Sequence, residues 1–222
     1  MATLYVGNHN YSSWSLRPWL CLRWAGIEFE EQLVSLAQPG YGHGSIAAVL
    51  AVSPTGKVPA LHVDGQVIWD SLAIMEWAAE TRPQAKLWPE DWRSRALARS
   101  AVCEMHSGFA AMRNDLSMNI RRRCQVKDWP AATQRDIDRV IALWLQLRDG
   151  HSDAGPWLCG TRGLVDAFYA PVMTRFRTYG VALPAALQAT AQALFDDDDF
   201  RAWESQPVTD GFPFVDELYP DA

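Results

Sequence analysis

Residues 53 to 74 hold the densest set of side chains suited to chemistry. Val58-Pro59 precedes a short apolar run, Ala60-Leu61-His62-Val63, and Asp64-Gly65 then reads as a hairpin turn before Gln66-Val67-Ile68-Trp69. Proline at a strand entrance fixes φ and removes an N–H. A cis bond suits such an X-Pro turn. It would aim the Val58 N–H and C=O outward, as an edge for an extended peptide. Asp70-Ser71 then opens a helical pattern. Free N–H groups and the positive end of the helix dipole meet there, so a carboxylate fits. One segment thus offers a peptide-binding edge beside an anion-binding helix end.

The elements that must position this segment follow from periodicity. Thr3 to Gly7 reads as a strand and Asn8 to Ser13 as a polar loop. Ser15 to Ala25 reads as a helix, with Leu16, Trp19, Leu20 and Trp24 at helical spacing and Gly26 as the stop. Pro18 suits only a first helical turn, which places the start close to Ser15. Glu28 to Ser35 reads as a second strand, Ser45 to Ala51 as a short helix, and Ser71 to Thr81 as the helix after the hairpin. The order β-α-β-α-β-β-α predicts a four-stranded mixed sheet. Arg82 to Pro89 reads as a linker. Beyond it every pattern is helical: Asp91 to about Asn119 as one long helix, then Ala131 to Arg148, Leu164 to Tyr179, Pro184 to Leu194, and a piece around Phe200 to Trp203.

The net charge of −6 argues against a nucleic-acid partner. No apolar stretch approaches membrane-spanning length, and a strand begins at once with no charged-then-apolar leader. A cytoplasmic location is expected. Cys21, Cys103, Cys124 and Cys159 are scattered without a CxxC pair, which fits reduced thiols rather than disulfides or a zinc site; no metal is expected.

Val58-Pro59 and Asp70-Ser71, in that order and spacing, resemble the glutathione site of the cytosolic glutathione transferases. The resemblance implies an α/β plus all-α fold. Residues 1–82 would form a thioredoxin-like glutathione-binding domain, 83–90 a linker, and 91–222 an all-helical domain contributing the electrophile pocket. It implies glutathione as co-substrate, bound by Val58, Pro59, Asp70 and Ser71, with Lys57 and His43 in reach of its glycine carboxylate. It also implies a homodimer.

In such a fold the loop after the first strand faces the thiol, and here it carries Ser12-Ser13-Trp14-Ser15. The pattern Ser-Ser-x-Ser-x-Arg, Ser12 to Arg17, resembles the zeta class, whose first serine faces the sulfur. Ser12 is therefore placed first as the activating hydroxyl, with Ser13 and then Tyr11 behind it; Ser15 reads as a helix cap. Trp14 stands where that class has cysteine, and Asp70 where it has glutamine. Arg17 either steadies the loop, neutralises a carboxylate, or lies on the surface. Gly163-Leu164-Val165-Asp166 occupies the place of the family's Ser/Thr-x-x-Asp helix start, so Asp166 is expected to be structural. Tyr11, Met105, Phe109 and Arg113 are the candidates for the electrophile pocket. His106 and Arg113 could steady a developing enolate or carboxylate. The expected function is conjugation of glutathione to a small hydrophobic electrophile. The alternatives are a glutathione-dependent isomerase resembling maleylacetoacetate isomerase, or a glutathione-binding scaffold without turnover.

Overall fold

The computed structural model describes residues 1–124, 126 and 128–207; the end of the expected helical domain, 208–222, lies outside the described residues. Four strands, β1 (Ala2–Val6), β2 (Phe29–Leu33), β3 (Ala60–Val63) and β4 (Gln66–Ile68), form one sheet in the order β2-β1-β3-β4. β1 runs parallel to β2 and antiparallel to β3, with Tyr5 opposite Ala60, and β3 pairs antiparallel with β4. Helices α1 (Ser13–Trp24), α2 (Ala47–Leu50) and α3 (Ser71–Thr81) complete the thioredoxin-like half. The crossover through α1 is long enough to return β2 parallel to β1, whereas the Asp64-Gly65 turn, at φ 49° and 79°, closes the β3–β4 hairpin.

The other half contains α4 (Trp92–Ser107), α5 (Ala110–Asp115), α6 (Ala131–Arg148), α7 (Leu164–Tyr179), α8 (Ala185–Asp196) and α9 (Asp198–Glu204). α7 is buried on nearly every face and packs on α1. Leu16 and Leu20 of α1, Met75 of α3, Phe168 and Tyr169 of α7 and Trp203 of α9 belong to a single apolar cluster spanning both halves. Among the described residues no helix is long and apolar enough to cross a membrane.

Two expectations about elements are corrected. The helix predicted from Asp91 to Asn119 is broken: α4 ends at Ser107, Phe109 adopts φ 60°, and α5 starts a new axis at Ala110. The break is held by polar contacts. Arg113 donates from Nε to the Gly108 carbonyl at 2.9 Å and from Nη2 to that of Met105, and Asp136 accepts from the Met112 N–H at 3.0 Å. α1 begins at Ser13 rather than near Ser15. Pro18 thus stands past the first turn, where its missing N–H leaves the Trp14 carbonyl without its helical partner.

Candidate functional site

The end of β1 and the start of α1 are tied together by Ser15. Its Oγ accepts the Gly7 N–H at 3.1 Å and the Ser12 hydroxyl at 2.8 Å, and the side chain is fully buried. Ser15 is therefore the clamp of the loop, not the helix cap expected of it. Ser12, Ser13 and Tyr11 all line one cavity of ≈ 460 Å³, together with Trp14, Lys57, Val58, Arg113 and Arg175. Asn10 fixes the loop from the far side: its Nδ2 donates to Asn119 Oδ1 at 2.8 Å, and its Oδ1 accepts the Arg121 N–H at 3.1 Å.

A second cavity of ≈ 480 Å³ is lined by Trp14, Lys57, Val58, Pro59, Asp70, Ser71 and His106. The Val58–Pro59 bond is cis, as is Trp69–Asp70. Among the described residues no turn or loop hydrogen bond uses the Val58 backbone. Asp70 caps α3, its Oδ1 accepting the Leu72 N–H at 3.0 Å. Ser71 is 1 % exposed and its Oγ has no hydrogen-bond partner. A buried hydroxyl is seldom left unpaired; here it stands at a helix N-terminus, beside the unused edge of Val58.

Several expected residues lie elsewhere. His43 is exposed and lines neither cavity. Met105 and Phe109 are buried in the apolar cluster and line neither cavity. The stripe they were read on assumed an unbroken helix; Met105 packs inward from α4, and Phe109 sits in the break between α4 and α5. Arg113 does reach the first cavity, with its guanidinium over the Trp14 ring at 4.8 Å. His9, in the loop after β1, is 7 % exposed, pairs with Glu31 at 2.8 Å and packs on Trp203.

Arg17 is not a surface residue. It is fully buried, its guanidinium lies 4.3 Å from the ring centroids of both Trp14 and Phe168, and its Nε donates to the Phe168 carbonyl at 3.0 Å. Its Nη1 and Nη2 have no partner. Burial, then repulsion from Arg113 and Arg175, holds its pKa well below the arginine range. Arg175, 4 % exposed, is pushed down to about 9, first by burial and then by Arg113. Sequence reasoning missed Arg175. Its signal was a charged residue inside the apolar α7 pattern, Phe168 to Tyr179.

Asp166 is 1 % exposed and accepts the N–H groups of Leu158 at 2.8 Å and Gly163 at 3.0 Å. Burial pushes its carboxyl up to about 7 against the pull of those donors. A Cβ at Gly163 would stand 2.7 Å from the Leu87 carbonyl oxygen, so glycine there is a packing requirement and the cap rests on Asp166.

Residues 11–81 match the family described as glutathione S-transferase, N-terminal domain. A maleylacetoacetate isomerase of Pseudomonas aeruginosa is 32 % identical over 189 residues, 82 % of this chain and 84 % of that protein. Its counterpart in Rattus norvegicus is 35 % identical over 181 residues, 81 % and 80 % of the two chains. Solved structures share the fold. A glutathione transferase homolog from Burkholderia with bound glutathione superposes with a TM-score of 0.68 at 21 % identity, over 91 % of this chain and 95 % of that one. A theta class glutathione S-transferase from Xanthomonas axonopodis, also with glutathione bound, gives 0.63 at 23 % identity, over 94 % and 99 %. The identity and coverage of these relatives show that the chain belongs to the cytosolic glutathione S-transferase family.

Proposed function

We propose that this chain binds reduced glutathione as an extended peptide, lowers its thiol pKa and adds the sulfur to a small electrophile. The observation that carries the reading is the unpartnered Ser71 Oγ, buried at the N-terminus of α3 in the cavity that also holds Val58, Pro59 and Asp70. In this reading the γ-glutamyl carboxylate takes the Ser71 hydroxyl and the α3 N–H groups, and Asp70 faces the ammonium. The cysteinyl backbone runs along Val58, and Lys57 meets the glycine carboxylate. The thiol then lies against the Ser12 loop. A second copy of the chain completes the family's dimer.

A free thiol has a pKa of about 8.5, so little of it is thiolate at neutral pH. A hydroxyl donor and the α1 dipole both favour S⁻. Lowering the pKa by about 1.5 to 2 units corresponds to ~2 to 3 kcal/mol between the two forms. Ser12 serves as donor if the Ser12–Ser15 bond reverses. Ser15 then donates to Ser12, and the Ser12 proton turns to the sulfur. Ultraviolet titration of bound glutathione tests this. Ser12→Ala is expected to raise the apparent thiol pKa by about one unit or more, and Ser13→Ala to leave it within about 0.3. The opposite pattern would move the role to Ser13.

A second reading, glutathione-dependent isomerisation of an unsaturated acid, is favoured by the Arg113 and Arg175 guanidiniums on the wall of the Ser12 cavity and by the activity for which the Pseudomonas and Rattus relatives are named. Turnover with a chlorodinitrobenzene-type acceptor supports conjugation, and turnover of a cis-dienoic acid supports isomerisation. Binding with neither leaves a glutathione-binding protein.

A further inference from the structure

His106 belongs to α4, in the helical half, yet it reaches the cavity of Val58, Asp70 and Ser71. Its Nε2 lies 2.9 Å from Asp70 Oδ2. The other oxygen of that carboxylate, Oδ1, accepts the Leu72 N–H. Both oxygens of Asp70 are thus fixed, one by its own helix and one by a residue from the other side of the molecule. The His106 ring is itself held, edge-on to Trp14 with centroids 5.4 Å apart and 5.9 Å from Phe168. Its Nδ1 is buried without a hydrogen-bond partner, which leaves Asp70 as its one polar contact among the described residues.

We propose that His106 is a positioning residue of the glutathione site: it sets the rotamer in which Asp70 presents its carboxylate to the ligand's α-ammonium. The inference rests on the glutathione reading given above. Asp70 is about half exposed, with 48 % of its side chain accessible, so without His106 its outer oxygen is free to turn into water. A carboxylate accepts more hydrogen bonds than the two made here, so His106 orients Asp70 without blocking an ammonium. The contact also explains why an aspartate, shorter by a methylene than glutamine or glutamate, serves at this position: the imidazole supports it from across the gap.

The test is calorimetry on the full chain with two ligands, glutathione and N-glutaryl-cysteinylglycine, which lacks only the α-amino group. His106→Ala is expected to weaken glutathione about tenfold, the scale of one charge-assisted contact made imperfect. It should leave the glutaryl analogue within about twofold. His106→Gln, which keeps a donor at similar reach, should recover most of the loss. In an Asp70→Asn background, His106→Ala should change neither ligand further. Equal weakening of both ligands, tighter glutathione binding, or no change overturns the proposal. Failure of the unaltered chain to bind glutathione at all instead overturns the reading on which it stands.

Discussion

Arg17, Arg113 and Arg175 gather around Trp14 and the Ser12 cavity, and among the described residues no carboxylate forms an ion pair with any of them. Their neighbours are backbone carbonyls and aromatic faces: Phe168 for Arg17, Gly108 and Met105 for Arg113, Leu116 and Pro171 for Arg175. Such contacts hold a guanidinium in place but do not neutralise it. Like charges in a half-dry cluster repel: beyond burial, Arg113 and Arg175 lower the pKa of Arg17, and Arg113 lowers that of Arg175. An anion in the cavity relieves that repulsion, so the wall should discriminate by charge. Arg113→Met is expected to reduce kcat/KM for an electrophile bearing a carboxylate by about tenfold or more, about 1.4 kcal/mol of transition-state binding. A neutral acceptor of the same size should change by less than about threefold. Folding stability should move little, because two lost carbonyl contacts, about 1 kcal/mol each, are offset by reduced repulsion. Steady-state kinetics with the paired substrates, beside a thermal melt, checks both parts. Equal losses for the two substrates would make Arg113 a helix cap and no more.

At the scale of elements, the helices with clear end signals were legible in the sequence. α3, α6 and α7 have the bounds expected of them, because Asp70, Pro130 and Gly163 stand just before each start and Gly150 and Gly180 lie shortly past the ends of α6 and α7. The α4–α5 break was not legible. Gly108 is its signal, but the apolar stripe of Met105, Phe109 and Met112 continues across it, and the break is held by Arg113 folding back on α4 and by Asp136 reaching over from α6. Ser12, Val58, Pro59, Asp70 and Ser71 line the two cavities and were named from local pattern; His106 was named on its helix and Arg175 left only a charge inside an apolar pattern, but which cavity each enters is decided by tertiary packing. The α7 cap yields a pH prediction. Asp166 holds its proton to about pH 7 in the folded protein and to about 3.9 in the unfolded chain. Below the lower value this contribution to stability is complete, and it is lost as pH rises through the upper one. The melting temperature should therefore fall between about pH 4 and 7 and level off above that, and Asp166→Asn should flatten the slope. A wild-type slope that persists in the variant would place the titrating group elsewhere.

The whole molecule should unfold as one unit, because the Ser12 loop is anchored in the helical half. Asn10 is tied to Asn119, Arg17 to the Phe168 carbonyl, and Trp203, from the last described helix, donates its indole N–H to the His9 carbonyl at 2.8 Å. Trp203 is fully buried and packs edge-on against Trp19 at 5.4 Å and His9 at 4.3 Å. Its removal therefore opens a cavity between α1 and α9 and leaves a carbonyl of the Ser12 loop unpaired. Large-to-small changes at such a site cost about 3 to 5 kcal/mol, which for a chain of this size lowers the melting temperature by roughly 10 °C. Since the apolar cluster runs through both halves, the loss should appear in both at once. In Trp203→Ala, helix content followed by far-ultraviolet circular dichroism and aromatic packing followed in the near ultraviolet should shift together and stay coincident. Trp203→Phe keeps a ring but no donor, so its loss should be smaller, about 1 to 2 kcal/mol, while the bound thiol's pKa rises as the Ser12 loop loosens. Two separated transitions in Trp203→Ala would mean that the halves unfold independently, and an unchanged thiol pKa in Trp203→Phe would mean that the serine loop keeps its shape without the indole.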